Sequence, residues 1–291
     1  MSKLAQRFFI FFFGVPAVAA LVLLLPHRNH LALSLTVVAF SAMGALEFSI
    51  MLAQKNLRIP KPEAVILGAL LPVAALLAIA FGLESGALAI LVAMMGAMAW
   101  LLLSRVFHGG ETLANFVNSV AAGFSTLLYP GLFMVGLVSM TRWGGSTSVI
   151  ITTFLLMVFG GDSLAWATGM MFGKGNRGVV PASPNKSVAG FAGGILGPII
   201  VGIGASLIFP RIFVPSFGVF ADMPFVAGII LGLFTGCAAI LGDLAESAFK
   251  RSSGIKDSGS FIIGRGGVLD SIDSIAMAAP VFYICFTLLF A

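Results

Sequence analysis

Apolar runs long enough to cross a bilayer recur from one end of this chain to the other, and no other feature narrows its fold so far. A hydrocarbon core of about 30 Å takes about 20 apolar residues in helical form. Stretches of that kind lie at approximately 8–25, 31–52, 64–83, 86–104, 117–140, 148–172, 190–209, 225–248 and 274–291. Of the 291 residues 59% are hydrophobic and only 9% charged, where a soluble domain carries about 25% charged residues. Lipid offers backbone amides no partner, so a spanning segment must satisfy them itself, and runs of this length do so as helices. The expected fold is an all-α, polytopic integral membrane bundle of about nine transmembrane helices.

Charge distribution orients those helices. If nine spans alternate, thirteen of the 16 basic residues fall on the side of the N-terminus: Lys3, Arg7, Lys55, Arg58, Lys61, Arg105, Lys174, Arg177, Lys186, Lys250, Arg251, Lys256 and Arg265. Only Arg28, Arg142 and Arg211 fall on the other. Basic loops stay cytoplasmic, which predicts a cytoplasmic N-terminus and an external C-terminus. The stretch 8–25 follows Lys3 and Arg7 as a signal-peptide core would, but without a clean small-residue cleavage site, and reads as a retained first helix. Cys237 and Cys285 sit in apolar spans without metal-ligand spacing and read as small buried hydrophobes. The sixth span, 148–172, contains Gly160-Gly161-Asp162 and is expected to bend or break there. Neither a repeat nor a linker is visible, so one bundle-like domain is expected. Within it, residues 1–115 would be scaffold, with possible oligomer contacts, and 116–291 the catalytic region.

In so apolar a chain, a charged group held at membrane depth is costly unless paired, solvated or bound to metal, and is a functional candidate by default. Asp243, Glu246, Ser247 and Lys250 are spaced i, i+3, i+4 and i+7, hence on one helix face. Asp270 and Asp273, at i and i+3, share another. The alternating topology sets these acids, with Asp162 and Glu47, at similar depth toward the cytoplasm, which implies a shared polar cavity. Grouped carboxylates repel unless a cation lies among them, and hard oxygen ligands suit Mg²⁺. The bland alternative is helix-end solvation, with Glu246 pairing Lys250 and Asp270 acting as a cap. Gly264-Arg265-Gly266-Gly267 directly precedes the last acids. Glycines admit close backbone approach and a helix start favours anions, so a phosphate is a candidate there, held partly by Arg265; an ordinary loop is the plainer reading. Lys250, Arg251 and Lys256 add a basic patch. The polar insertion 174–187, with Ser183-Pro184-Asn185-Lys186-Ser187, reads either as a solvated loop or as a flap bringing Lys186 and hydroxyls to a nucleotide.

Taken together, these residues resemble the phosphatidate cytidylyltransferases, or CDP-diacylglycerol synthases. That signature runs Ser-x-x-Lys-Arg, four residues, Lys-Asp, a His-Gly-Gly turn and Asp-Arg-x-Asp. Ser247, Lys250, Arg251, Lys256, Asp257, Gly266, Gly267, Asp270 and Asp273 stand at its spacings. Asp243 matches the acid before the signature, Ser183–Ser187 a Ser-Pro-Lys-Lys-Thr loop, and Asp162 an acid upstream of it. The likeness covers roughly 150–291; the N-terminal half matches in hydropathy alone. Three departures bear on headgroup or lipid preference: Arg265 stands for the histidine, Ser271 for the arginine between the acids, and Val188-Ala189-Gly190 for Trp-Glu-Gly.

The resemblance implies an enzyme that makes CDP-diacylglycerol and pyrophosphate from CTP and phosphatidate, with its site facing the cytoplasm in a bacterial cytoplasmic membrane. It implies Mg²⁺ on Asp243, Asp270 and Asp273, with room for a second, monovalent cation, and Lys250 beside them. Arg251, Lys256, Arg265, Lys186, Ser183, Ser247, Gly266 and Gly267 would meet substrate. Membrane lipids are partners, nucleic acid is not, and a homodimer is compatible with the sequence. Other CTP-using lipid enzymes, a CDP-archaeol synthase or a polyprenol kinase, form the nearest alternative. A secondary transporter would also place acids on broken helices, but here the acids gather toward one face and no inverted repeat is seen.

Overall fold

The computed structural model describes residues 13–107, 111–216, 223–262 and 266–291. Lys3, Arg7, the start of the 8–25 stretch, Gly264 and Arg265 lie outside the described residues. A short helix α1 (Val15–Leu23) is followed by α2 (His27–Ala53), α3 (Lys61–Ala80) and α4 (Gly86–Val106). A composite run comes next: α5 (Phe116–Thr126), a π-helical stretch (Leu127–Leu132), α6 (Phe133–Ser139) and a 3₁₀ stretch (Met140–Ser146). Then follow α7 (Thr147–Phe172), α8 (Val188–Ile208), α9 (Pro224–Ser252) and α10 (Leu269–Phe290). Among the described residues extended pairing is limited to two isolated bridges, Arg177 with Ser187 and Ile262 with Gly266.

Seven described helical runs are long and apolar enough to cross a membrane. One of them, Phe116–Phe172, has 57 residues and holds two of the expected spans, 117–140 and 148–172. At about 1.5 Å per residue it far exceeds a single crossing, and its helical geometry lapses at Trp143 and Gly144, where Gly144 takes φ 58°. Only 11% of the most apolar stretch of α4 is buried, and Leu88, Val92, Met95 and Trp100 stand exposed along it. An apolar helix left uncovered to that extent requires hydrocarbon around it. The protein is an all-α polytopic membrane protein.

Two compact units divide the chain, one combining the described residues of Met1–Arg142 with Phe249–Ile272, the other combining Trp143–Ala248 with Asp273–Ala291. The single bundle anticipated from the absence of linkers is thus subdivided. No long linker marks the division because the chain passes between units inside α9, inside α10 and within the 3₁₀ stretch.

In the first unit α2 and α3 pack together and the π-helical stretch lies against both. Pro130 supplies no amide to a helix, and the buried Ser41 hydroxyl sits 2.5 Å from its carbonyl and 2.7 Å from that of Gly68, sharing one proton between them. The right-handed part of α2 starts at Leu31, because Arg28, Asn29 and His30 take φ of 50–56°. Arg105, at the end of α4, donates both hydrogen bonds of a bidentate pair to Glu63 in the first turn of α3, at 3.0 Å each. Its Nε donates to Ser119 at 2.9 Å. Each charge also complements its helix dipole. Phe48, Tyr129 and Phe249 form an aromatic cluster with centroids 4.9–5.4 Å apart, fastening the end of α9 to α2.

Close helix approach builds the second unit. Helix α7 runs unbroken through Gly160-Gly161-Asp162, where a bend was expected. Those glycines serve packing instead: a Cβ at Gly161 would lie 3.2 Å from the Gly194 carbonyl of α8, and one at Gly197 3.0 Å from that of Gly160. Helices α8 and α9 meet the same way, since a Cβ at Gly202 would collide with the Gly228 carbonyl. Small residues at such crossings let van der Waals contact hold helices that lipid itself does not drive together.

Gly202→Ala should therefore destabilise the protein by about 1–3 kcal/mol through overpacking. Gly204→Ala, whose new methyl meets nothing within 4 Å, should be neutral or gain up to about 1 kcal/mol from helix propensity. Thermal unfolding in detergent micelles measures both, and equal melting points for the two variants would contradict this packing.

Candidate active site

The start of α10 governs the polar chemistry of the first unit. A helix begins with four backbone N–H groups that have no partner inside it. Here side chains take the amides of Val268, Leu269 and Asp270 and that of Gly267 just before them, while Ser271 N turns back to the Val268 carbonyl at 2.9 Å. The Asp270 carboxylate reaches back to accept from Gly267 N at 2.8 Å. Glu47, from the last third of α2, accepts from Val268 N at 3.0 Å and Leu269 N at 2.8 Å. The Ser258 hydroxyl accepts from Asp270 N at 3.3 Å. Glu47 is 8% exposed, so these bonds act where water does not compete.

Ser258 joins the two carboxylates. Its Oγ lies 3.0 Å from Glu47 Oε2 and 2.9 Å from Asp270 Oδ2, and its backbone N–H donates to the same Asp270 oxygen at 2.9 Å. Asp270 Oδ2 therefore faces two backbone donors and the Ser258 hydroxyl, whose one proton it shares with Glu47, while Oδ1 meets Lys250 Nζ at 2.6 Å. With the Lys250 side chain 14% exposed and that of Asp270 7% exposed, this is nearly a buried ion pair.

Glycines make the room. Gly266 has φ 104°, a conformation that favours glycine, and pairs with Ile262 across the loop at 2.8 and 3.1 Å. A Cβ at Gly267 would collide with Ser258 Oγ and Glu47 Oε2, and one at Gly259 with Glu47 Oε1. The Gly-Gly turn thus closes around chain carboxylates. A phosphate at this helix start, anticipated from the glycines and the dipole, would find its amides already engaged; the anion there is Glu47.

In the second unit a cavity of about 390 Å³ lies between α7, the 174–187 loop, α8 and α9. Its polar wall includes Asp162, Arg177, Asn185, Lys186 and Asp243, with Trp166 and Pro198 among the apolar groups. Lys186 forms an ion pair with Asp243, and both are partly exposed, at 26% and 34%. The loop is ordered by the Arg177–Ser187 bridge and by Ser187, which caps α8 by accepting from Gly190 N at 3.0 Å. The Lys186 ammonium also stands 6.0 Å over the Phe191 ring. Lys186 is thus placed at the cavity by a loop with its own bridge and cap.

The remaining sequence candidates distribute as follows. Asp273 lies one turn beyond Asp270 on α10 and accepts from Ser274 N at 2.6 Å. Arg251, Lys256 and Asp257 are exposed, Ser247 and Ser183 half-buried, and Glu246 fully buried. Among the described residues no three Asp, Glu, His or Cys side chains converge as a ready metal cage. The donor chemistry nevertheless suits a hard cation: Asp270 and Asp243 each already hold a positive group, the ammonium of a lysine. Glu47 and Ser258 are the residues that motif reasoning undervalues. A lone acid in an apolar helix was the available signal for Glu47; its partners lie 211–222 positions away. Ser258 carries none.

A family model described as the cytidylyltransferase family matches residues 5–289. The chain is 36% identical over 176 residues to a phosphatidate cytidylyltransferase of Thermotoga maritima, covering 59% of this chain and 61% of that one. It is 41% identical over 128 residues to one of Haemophilus influenzae, covering 44% and 42%, and 32% identical over 146 residues to one of Synechocystis, covering 49% and 45%. The matched regions thus span about half the length of these curated relatives.

The two lysine–aspartate pairs should differ sharply in worth. Lys250→Met removes the ammonium from the buried Asp270 carboxylate and should cost about 3 kcal/mol or more. Lys186→Met breaks a half-solvated pair and should cost less than about 1 kcal/mol. Melting points in micelles decide the order, and a larger loss for Lys186→Met would mean that the burial described is wrong.

Proposed function

Because the chain belongs to the cytidylyltransferase family, we propose that it transfers a cytidylyl group from CTP to phosphatidate, at the cytoplasmic face of a bacterial cytoplasmic membrane. A phosphate oxygen of phosphatidate attacks the α-phosphorus of CTP; the bond to the β-phosphate oxygen breaks, and pyrophosphate leaves with that oxygen. CDP-diacylglycerol stays in the bilayer, where its acyl chains need never leave lipid.

The observation that carries this reading is the Lys250–Asp270 pair, held at 2.6 Å beneath the Gly266-Gly267 turn. It joins the signature's lysine to the signature's first α10 acid in a nearly water-free setting. Phosphoryl-type transfers ask for positioning and charge neutralisation more than covalent help, and this loop is built for positioning. Asp270 and Asp273 on α10, with Asp243 as the third acid of the pattern, would hold Mg²⁺, and a second, monovalent cation is part of the same proposal. When bound, Mg²⁺ supplies charge neutralisation at the reacting phosphates. Lys250, Arg251 and Lys256, with Arg265, would offset triphosphate and lipid phosphate. Lys186, with Ser183 and Ser187 in its loop, would bind substrate at the cavity that Asp243 lines. Gly266 and Gly267 form the turn beside these groups, and they and Ser247 would meet substrate.

Purified protein in micelles, given CTP, phosphatidate and Mg²⁺, should form CDP-diacylglycerol with one pyrophosphate released per lipid. Chelation of the metal should stop it and added Mg²⁺ restore it. Asp270→Asn and Asp243→Asn should each lose about 10²-fold or more in kcat. No product from phosphatidate, or label passing from CTP to a polyprenol hydroxyl, would overturn the assignment; full activity in either variant would remove that acid from the scheme.

A further inference from the structure

We infer that Glu47 is a positioning residue for the reaction: a buried carboxylate on α2 that sets the orientation of Asp270 through the start of α10 and through Ser258. The inference rests on the proposed function for its kinetic arm only. Neither the signature nor its spacing includes Glu47, which lies more than 200 residues upstream of every group it holds.

The hydrogen-bond chemistry makes the role specific to a carboxylate. All three groups that meet Glu47 can donate: two backbone N–H groups and one hydroxyl. Only an acceptor at both oxygens serves them, and a carboxylate accepts at both. A glutamine of the same shape would turn an NH₂ group toward one of those donors. The position is also a built fit, since Gly259 and Gly267 lack the Cβ atoms that would collide with the two Glu47 oxygens. The negative charge lies against the positive end of the α10 dipole, which favours it.

Coupling to Asp270 follows from shared partners. Glu47 holds Val268 and Leu269, the two residues immediately before Asp270. It also meets the Ser258 hydroxyl that meets Asp270 Oδ2. Asp270 Oδ2 depends in turn on Gly267 N and Ser258 N, which lie in the same two loop segments. Loosening Glu47 frees those segments together, and with them the direction of the carboxylate that meets Lys250. Displacement of a reacting group's support by about 1 Å can cost on the order of 10²-fold in rate.

The test compares Glu47→Gln, Glu47→Asp and Ser258→Ala with the parent in lipid nanodiscs, using Glu84→Gln on an exposed loop as control. Amide hydrogen exchange and steady-state kinetics with CTP and phosphatidate are both read. Glu47→Gln should speed exchange at Ser258, Gly267, Val268 and Leu269 while amides of α3, α4 and α8 keep parental rates. Its kcat should fall about 10²-fold with KM for CTP changed less than about threefold, the split expected when positioning is lost and binding is kept. Glu47→Asp should retain more protection and more rate than Glu47→Gln, because charge is kept. Ser258→Ala should lower kcat while Val268 and Leu269 stay protected. Parental exchange at 267–269 in Glu47→Gln, faster exchange spread evenly over all helices, a glutamine variant that outperforms the aspartate, or a Ser258→Ala rate equal to the parent would each overturn the inference. A parent protein inactive on CTP and phosphatidate would sink the proposed function, leaving the exchange comparison to decide the positioning role.

Discussion

A helix that starts inside a protein, away from water, must find acceptors for its first amides, and α10 obtains those of Val268, Leu269 and Asp270 from side chains. This requirement organises the first unit. Glu47 brings the acceptor from α2, the Phe48–Tyr129–Phe249 cluster beside it fastens the end of α9 to that same helix, and the end of α9 carries Lys250. Asp270 and Lys250 meet because both are tied to α2 by neighbouring residues, one through hydrogen bonds and the other through ring packing. A buried polar network of this kind stands only when its members are satisfied, since each unpaired group would cost its full desolvation.

The second unit meets the same scarcity of water by other means. Its helices come close through glycine-on-carbonyl contacts at Gly161, Gly197, Gly202 and Gly228, and Arg177, Asn185 and Lys186 of the 174–187 loop line its polar cavity. Polarity is concentrated in a loop ordered by its own bridge and cap. Dispersion holds the helices; hydrogen bonds shape the hollow.

Most of the helices were legible from hydropathy because a bilayer crossing demands a length that few other structures share. The Lys250–Asp270 pair was legible only as two members of one spacing pattern; the pattern does not say that they touch. Gly160-Gly161 read as a break because glycine weakens helices in general, whereas neighbouring α8 needs its bare surface. Gly266-Gly267 read as a phosphate cradle because glycine and a helix start favour anions. In the structure Asp270 and Glu47 take the amides of Gly267, Val268 and Leu269, and nothing local to residues 264–273 announces a glutamate from position 47. Contacts that close over 200 residues leave no periodicity to read, only a solitary acid in an apolar helix.

The two oxygens of Asp270 then acquire different duties. Oδ2 accepts from Ser258 N and Gly267 N and shares the Ser258 hydroxyl proton with Glu47, and the two backbone donors fix the plane of the carboxylate. Oδ1, turned by that plane, meets Lys250. A carboxylate held by one salt bridge alone could swing with its lysine, and its free oxygen would have no settled direction. Held from behind by backbone, it presents a charge whose direction does not depend on what the lysine does. Charge stabilisation is strongest when the groups that provide it need not reorganise as charge develops, and Asp270 meets that condition because a distant glutamate holds the backbone beneath it.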